Sequence, residues 1–529
     1  MIQDNLLLVL FLLFAVSIIA LLSEKFRLSY PIFLVICGLI VSFVPGVPVI
    51  KLDPDMVFTL FLPPLLYSAA WYTAWGDFWR LRRPIGTLAF GLVIFTAVAV
   101  AFVSAWLIPG FSLAAGFLLG GIISPPDAVA AASVFNQLKV PRRVVTILEG
   151  ESLVNDASSL IVFRFALIAI ATGRFVFLDA AGSFVLIVSM GILIGIVGAQ
   201  IICYIHRYMP SIASVNTALT LMTPYLLYLT AEHFHFSGVL AVVSGGLLLS
   251  YRSADAFAYN SRLQALNVWS TWVFLLNGVV FILIGLQLPT IIRGLGTYSL
   301  LSSIFYGLVI SLVAVFIRLI WVFPAAFIPR LINPNDQKDE SKLNWKSALI
   351  IGWSGMRGVV SLASALAIPL TLDNGNAFPY RSLILFVTFI VILFTLIVQG
   401  LSLPFILRGL RPEVRENDLQ QEQEIRYQMA KAVLNYLDSN YPAEIAEHQV
   451  FIRVREKYDR MAENASKSLT VKEEVSPSFM KTYRAMLLEI IDVRRQVLKT
   501  MHINNEFADH LIRAKERELD LEEARTRRT

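Results

Sequence analysis

The acidic segment EGESLVNDASS, residues 149 to 159, runs directly into the apolar stretch LIVFRFALIAIA. In a helix, Glu149, Ser152 and Asp156 share one face, with Glu151 and Asn155 on the neighbouring stripe. Carboxylates inside an apolar helix are costly and mark a functional site, unless they only join helices together. Burial makes a carboxylate harder to ionise, so a hard cation and a proton would compete for it. The segment therefore predicts cation and proton chemistry.

A further acid follows a double proline in the segment GGIISPPDAVAAASVF. Pro125 and Pro126 lack amide hydrogens, so the helix should break there and restart as a half-helix, with Ser124 as its cap. Asp127 would then lie in the first turn of this half-helix, where the helix dipole favours a carboxylate. The alternative is a simple proline kink.

The composition places these segments in a membrane. Of the 529 residues, 57% are hydrophobic and only 16% are charged, which is too apolar for a soluble protein of this length. The sequence predicts an all-α polytopic membrane protein of about thirteen spans. The approximate spans are 5 to 22, 30 to 46, 55 to 75, 84 to 108, 111 to 135, 145 to 171, 176 to 204, 214 to 232, 236 to 250, 265 to 289, 298 to 328, 346 to 369 and 380 to 407.

The twelfth span contains a second interruption, in IIGWSGMRGVVSLASALAIP, where glycines surround Arg357. Interrupted helices in corresponding positions of two halves point to a transporter site built from inverted repeats. Span five is the fifth of the first six spans, and span twelve is the fifth of the last six. Because the two sets enter the membrane from opposite sides, the sequence predicts two inverted six-helix repeats.

The loops predict the orientation. Sixteen Lys and Arg residues fall between spans on one side, and the other side has only Lys51, Arg174, Arg293 and Arg381. Positive charge is retained in the cytoplasm, so the N-terminus should lie outside the plasma membrane and the C-terminus inside. The net charge of +6 is mostly this loop effect, and it predicts no nucleic-acid binding.

The composition changes near residue 411. Residues 1 to 410 would form the transmembrane domain, with a core at about 84–171 and 298–407, and residues 411 to 529 a charged, helical, cytosolic tail. The tail should end in one long helix finishing with RAKERELDLEEARTRR. It is either a solvated tail that packs on itself or on a partner copy, or a regulatory module that senses pH or a partner.

Four motifs together, SPPDAVA, EGESLVNDAS, FLPPLLYSAAW at 61 to 71 and GMRGVVSLA, resemble the cation/proton antiporter 1 family. These are the sodium/proton exchangers, which include the bacterial NhaP type. The resemblance covers residues 1 to 410 in order. It implies crossed broken helices, a homodimer in membrane lipid, and a secondary antiporter that is not an enzyme and needs no cofactor.

The resemblance also implies roles for residues of the two motifs that carry acids. Asp156 would be the shared site of the cation and the proton, and Asn155 would hold the broken helices together. Asp127 would shape the site. Pro126 would offer its backbone carbonyl and Ser152 its hydroxyl.

Glu151 would be a structural acid paired with an arginine inside the membrane. The sequence offers Arg318 and Arg357 and does not decide between them. Two departures from the family pattern stand out. Many relatives have Thr where this chain has Pro126, so a hydroxyl ligand is lost, and relatives often have an acid where it has Ser68.

The expected activity is exchange of protons for a monovalent cation by alternating access, serving pH and sodium homeostasis. Sodium is expected first, and lithium or potassium remain open. Because Asn155 and not a second Asp precedes Asp156, we expect electroneutral exchange of one proton per cation, although Asp127 is a second acid. The alternatives are a K+/H+ antiporter and a cation channel, for which the sequence has no filter motif. It also has no HExxH, GxSxG or P-loop motif of an enzyme.

Overall fold

The computed structural model describes residues 2–26, 29–44, 54–135, 138, 140–173, 177–208, 212–257, 259–296, 298–332, 344–372, 375–410, 417–470, 477–503 and 509–528. These residues are almost entirely helical, and the β-bridge that they contain joins Thr371 to Ala377. Contacts divide the chain into two units, Met1–Val414 and Arg415–Thr529. The all-α prediction is confirmed.

The helices of the first unit follow the apolar segments of the sequence. They are α1 (Ile2–Phe26), α2 (Tyr30–Ser42), α3 (Pro54–Leu60), α4 (Leu62–Tyr72), α5 (Trp75–Arg80), α6 (Arg82–Gly86), α7 (Val93–Leu107), α8 (Leu113–Ile123), α9 (Ala128–Phe135), α10 (Arg142–Thr172), α11 (Phe177–Tyr208), α12 (Ala213–His233), α13 (Gly238–Tyr251), α14 (Ser253–Ala256), α15 (Tyr259–Leu286), α16 (Leu288–Gly294), α17 (Leu300–Ile332), α18 (Trp345–Trp353), α19 (Val359–Leu366), α20 (Arg381–Phe394) and α21 (Gly400–Leu410). Short π-helical segments, Thr87–Leu92 and Thr395–Gln399, precede α7 and α21.

Eight helical segments of the described chain are long and apolar enough to cross a membrane. They are Val9–Phe26, Arg82–Leu107, Leu113–Phe135, Arg142–Thr172, Gly182–Tyr208, Asn260–Leu286, Leu300–Ala325 and Arg381–Leu410. Two shorter apolar helices are α2 and α13. The other predicted spans coincide with α3 and α4, with α12, and with α18 and α19. The protein is therefore a multi-pass membrane protein, and the count of thirteen stays a prediction.

Both interruptions predicted from the sequence are present. The first separates α8 from α9, and the second separates α18 from α19. Each leaves a short non-helical stretch within a mostly buried part of the unit. Such backbone is tolerated at membrane depth only where protein or a hydrated cavity satisfies it. The inverted repeat that would relate the two breaks stays a prediction.

Helix α10 lies between two apolar clusters. The first cluster contains residues of α7, α8, α17 and α20, and the second contains residues of α4, α11, α12 and α13. From α10, Leu148 and Phe163 join the first cluster, whereas Leu153 and Ala157 join the second. The polar residues of α10, Asp156 among them, are therefore held where the two clusters meet.

The second unit consists of charged helices that pack in pairs. They are α22 (Asn417–Asn440), α23 (Pro442–Glu447), α24 (Gln449–Thr470), α25 (Pro477–Ile503) and α26 (Asp509–Arg528). Helix α24 packs on α22, and α26 packs on α25, where Arg495 contacts Asp520 and Glu523 at 2.8 Å each. The expected single long helix at the end of the chain was therefore wrong, because these helices lie side by side.

Candidate functional site

Asp127 caps the restarted helix at the first break. Its Oδ1 accepts a hydrogen bond from the Val129 amide at 2.8 Å. The Ser124 hydroxyl instead donates to the Gly121 carbonyl at 3.2 Å, at the end of α8. The prediction of Ser124 as the cap was therefore wrong, because two prolines without amide hydrogens separate it from α9. Asp127 also lies just before α9 and not in its first turn.

The second break packs directly against the first. The Asp127 amide donates to the Met356 carbonyl at 2.6 Å. Arg357 Nε donates to the Ile123 carbonyl at 3.0 Å, and another of its guanidinium nitrogens donates to the Gly355 carbonyl. The two interrupted helices therefore meet at their breaks and satisfy backbone groups that the breaks leave free.

This meeting point places opposite charges at opposite helix ends. The Asp127 carboxylate accepts from the amides of Val129 and Val359, near the starts of α9 and α19. Arg357 donates to the Ile123 carbonyl at the end of α8 and to the Gly355 carbonyl, two residues after α18 ends. Helix starts have a partial positive charge and helix ends a partial negative charge. Asp127 and Arg357 therefore balance the dipoles of all four half-helices.

Gly358 allows the close approach of the two breaks. A Cβ atom at this position would lie 2.9 Å from the Asp127 Cβ and would overlap its carboxylate. Any side chain at position 358 would therefore displace Asp127.

Asn155 joins α10 to the first break. Its Nδ2 donates to the Pro126 carbonyl at 3.1 Å, and its Oδ1 is buried without a hydrogen-bond partner among the described residues. Asp156 follows on the next position and is only 5% exposed. The contact of Asn155 therefore sets the distance between Asp156 and the break.

A cavity of about 70 Å³ lies beside this contact. Its polar lining comprises Pro126, Asp127, Ser152, Asp156, Asn277 and Ser361, and its apolar lining includes Phe58, Leu62, Leu65 and Leu66. One water molecule needs about 10–15 Å³ by this measure, so the cavity has room for several. No ion pair joins Asp127 or Asp156 to any other part of the described chain. The arrangement offers two carboxylates, two hydroxyls, a side-chain amide and a backbone carbonyl to a small hard cation or to a proton.

Glu151 pairs with Arg318 and not with Arg357. The two guanidinium nitrogens of Arg318 lie 2.5 and 2.7 Å from the two carboxylate oxygens, and both side chains are at most 1% exposed. Arg318 Nε also donates to the Ile351 carbonyl at 3.1 Å, just before the second break. The pair joins α10, α17 and α18 and takes no part in lining the cavity.

The sequence analysis did not identify two polar residues of the cavity. Asn277 of α15 and Ser361 of α19 both line it. Asn277 is an isolated amide in the apolar run VFLLNGVVFILIG, and such a residue in the middle of a span is itself a signal of function. Ser68 and Glu149 do not line the cavity.

The chain is similar to known transport proteins. A family model for the transmembrane part of the sodium/hydrogen exchangers matches residues 10–409. A sodium, potassium, lithium and rubidium/H+ antiporter of Bacillus pumilus is 36% identical over 385 residues, which cover 71% of this chain and 57% of that protein. An uncharacterized Na+/H+ exchanger of Mycobacterium bovis is 31% identical over 530 residues, which cover 96% of this chain and 94% of that protein.

The fold is also similar to a solved structure. A sodium proton antiporter from Methanocaldococcus jannaschii, solved at pH 8, has a TM-score of 0.60 and 19% identity, covering 78% of this chain and all of that one. At this identity the likeness shows the fold alone. The motifs, the family match and the relatives agree, and the resemblance inferred from the sequence is confirmed. The chain belongs to the sodium/hydrogen exchanger family, whose members are transporters and not enzymes.

Proposed function

We propose that the protein is a secondary antiporter that exchanges protons for a monovalent cation, with Asp156 as the group that binds both. The observation that carries the proposal is the placement of Asp127 and Asp156 on one cavity, with no cationic side chain of the described residues paired to either. A carboxylate without a counter-charge in a membrane-embedded cavity, such as that of Asp156, needs a proton or a cation.

The chemistry of the site makes the two substrates exclude each other. Protonated Asp156 is neutral and a poor ligand, whereas ionised Asp156 attracts a cation that replaces its proton. In the cation-bound form, Ser152 and the Pro126 carbonyl add neutral oxygens of the kind that hard cations prefer. Exchange follows if the cavity opens to each side in turn only when Asp156 is neutralised.

The stoichiometry that we propose is one proton per cation. Asn155 is neutral and uses its amide to hold the first break. Asp127 already accepts hydrogen bonds from two backbone amides at the breaks, so we assign it a structural role in the exchange cycle. Asp156 is then the acid that releases one proton for each cation it binds, and the net charge moved in each cycle is zero.

Sodium is the cation that we propose first, with lithium and potassium as further substrates. The Bacillus pumilus relative is named for all three, but this chain spans only 57% of its length. A K+/H+ antiporter is therefore the second candidate. A cation channel is the third, and it would show no coupling between proton and cation movement.

We also propose the membrane, the oligomeric state and the orientation in which the protein works. We place the protein in the plasma membrane as a homodimer that serves pH and sodium homeostasis, with the N-terminus outside and residues 411–529 as a cytosolic tail. What supports the orientation is the uneven distribution of Lys and Arg between the loops.

The test uses purified protein in proteoliposomes with an acidic interior and a pH-sensitive dye. We expect addition of sodium, lithium or potassium outside to release protons from the lumen, and to do so without a membrane potential. The assay is repeated from alkaline to mildly acidic pH, with insertion of the protein into the liposomes verified. If none of the three cations releases protons at any pH in this range, the proposal is contradicted. Proton release that requires charge compensation by an ionophore would instead contradict the one-to-one stoichiometry.

A further inference from the structure

The polar lining of the cavity comes unevenly from the two halves of the molecule. Pro126, Asp127, Ser152 and Asp156 all lie between residues 125 and 156. The second half contributes Asn277 of α15 and five residues at and just before the start of α19, which are Gly358, Val359, Val360, Ser361 and Ala363. Ser361 is the only one of these five with a polar side chain, so it is the one side-chain oxygen that α19 can offer to a substrate in the cavity.

The Ser361 hydroxyl has no hydrogen-bond partner in the described part of the protein. The residue is 1% exposed, and its Oγ is buried. A buried hydroxyl without a partner is unfavourable, and native structures rarely keep one without a use for it. Ser361 therefore has unused bonding capacity at the cavity wall.

The position of Ser361 also connects it to the meeting point of the breaks. It lies two residues after Val359, whose amide binds the Asp127 carboxylate. Rotation about the Cα–Cβ bond of a serine moves its hydroxyl between staggered positions without moving the helix. A cation bound by Asp156 would give Oγ a partner, and no shift of α19 is needed to bring the residue to the cavity.

From these observations we infer that Ser361 is a ligand of the transported cation, supplied by the second half of the molecule, and that it sets the affinity and the choice among monovalent cations. This inference rests on the proposed antiport. A neutral hydroxyl completes the shell of a cation whose charge the carboxylates already balance. Its loss should weaken cation binding and leave proton binding at Asp156 in place.

The experiment measures the half-saturating concentrations of sodium, lithium and potassium in proteoliposomes at an alkaline pH, where protons compete least. The variants are Ser361→Ala, which removes the oxygen, and Ser361→Cys, which keeps the volume but replaces a hard ligand with a soft one. Ser364→Ala is the matched control, because Ser364 is also a buried serine of α19 but does not line the cavity.

Both Ser361 variants should raise the half-saturating concentration of the preferred cation on the order of tenfold, as expected for one lost ligand, with the maximal rate nearly unchanged. The preference among the three cations should shift, and Ser364→Ala should match the wild type. Wild-type half-saturating concentrations for all three cations in both variants would overturn the inference. So would a fall in maximal rate alone, which indicates a packing role.

The two proposals fail in different ways. A wild-type protein that moves no protons in response to any cation contradicts the antiport itself. A wild-type protein that exchanges normally, beside Ser361 variants of unchanged affinity, contradicts only the role of Ser361.

Discussion

Two acids on the same helix have opposite surroundings. Glu151 and Asp156 both lie on α10, and both are almost fully buried. Glu151 receives two hydrogen bonds from Arg318, so its charge is balanced within the protein. Asp156 lines a cavity beside a second carboxylate, Asp127, and no described basic side chain pairs with it. The first acid is part of the framework, and the second leaves a charge for a substrate to balance.

The role of a buried acid therefore depends on whether a basic side chain pairs with it. A buried ion pair contributes little net stability but is costly to break, because breaking it leaves one charge alone. A buried acid without a pair is already in that costly state unless a proton or a cation neutralises it. Three substitutions test the difference between the paired and the unpaired acid. Their expected cost in stability decreases from Arg318→Met through Gly358→Ala to Asp156→Asn.

The largest effect should come from Arg318→Met. It leaves the Glu151 carboxylate buried and unpaired, so we expect the free energy of unfolding to fall by about 3–5 kcal/mol. Thermal unfolding in detergent, followed by size-exclusion chromatography, measures the loss. The double variant Glu151→Gln, Arg318→Met should recover much of it because no charge is left alone.

The control for this variant is Arg164→Met. Arg164 contacts Glu232 at 3.0 Å, but its side chain is 46% exposed. Such a pair contributes only about 0–1 kcal/mol. Equal stability of Arg318→Met and Arg164→Met would contradict the framework role of Glu151.

An intermediate effect is expected for Gly358→Ala. The new methyl group would overlap the Asp127 carboxylate, so the two breaks would have to separate. Overpacking of this kind costs about 1–3 kcal/mol, and transport should fall with it because Asp127 lies at the cavity. Transport assays and thermal unfolding check both parts. Gly294→Ala is the matched control, since an added Cβ there meets no atom within 4 Å. Wild-type transport by Gly358→Ala would show that the contact of Asp127 with the second break is not needed.

The smallest effect on stability should come from Asp156→Asn, although it should abolish transport. The substitution removes a buried charge that has no ion-pair partner among the described residues, so stability should stay level or rise. Cation-dependent proton release should fall to the level of empty liposomes. If Asp156→Asn is strongly destabilised, Asp156 has a structural role like that of Glu151, and the proposed difference between the two acids is wrong.

The sequence predicts the local features of the site well. Proline removes amide hydrogens wherever it occurs, so the first break was predictable from Pro125 and Pro126. The polar face of α10 follows from helical spacing, and the motifs around Asp127 and Asp156 identified the family. These features depend on a few neighbouring residues, and hydrophobic spans are long enough to be read from composition.

The features that depend on distant segments were not predictable. Both Arg318 and Arg357 lie inside apolar segments, and only the packing of α17 against α10 and α18 shows that Arg318 reaches Glu151. Asn277 and Ser361 belong to the site because their helices pass a cavity that no single segment encodes. The predicted capping role of Ser124 was wrong for a local reason, because its hydroxyl donates to the nearby carbonyl of Gly121.

The most direct test of the central claim measures cation affinity as a function of pH. Sodium, lithium or potassium is titrated calorimetrically into detergent-purified protein, and the apparent Kd is followed from alkaline to acidic pH. Competition with one proton at Asp156 predicts that the apparent Kd rises about tenfold for each pH unit once Asp156 is mostly protonated, and that Asp156→Asn does not bind the cation. A Kd that does not change with pH, or one that survives in Asp156→Asn, would contradict the claim that one carboxylate binds both substrates.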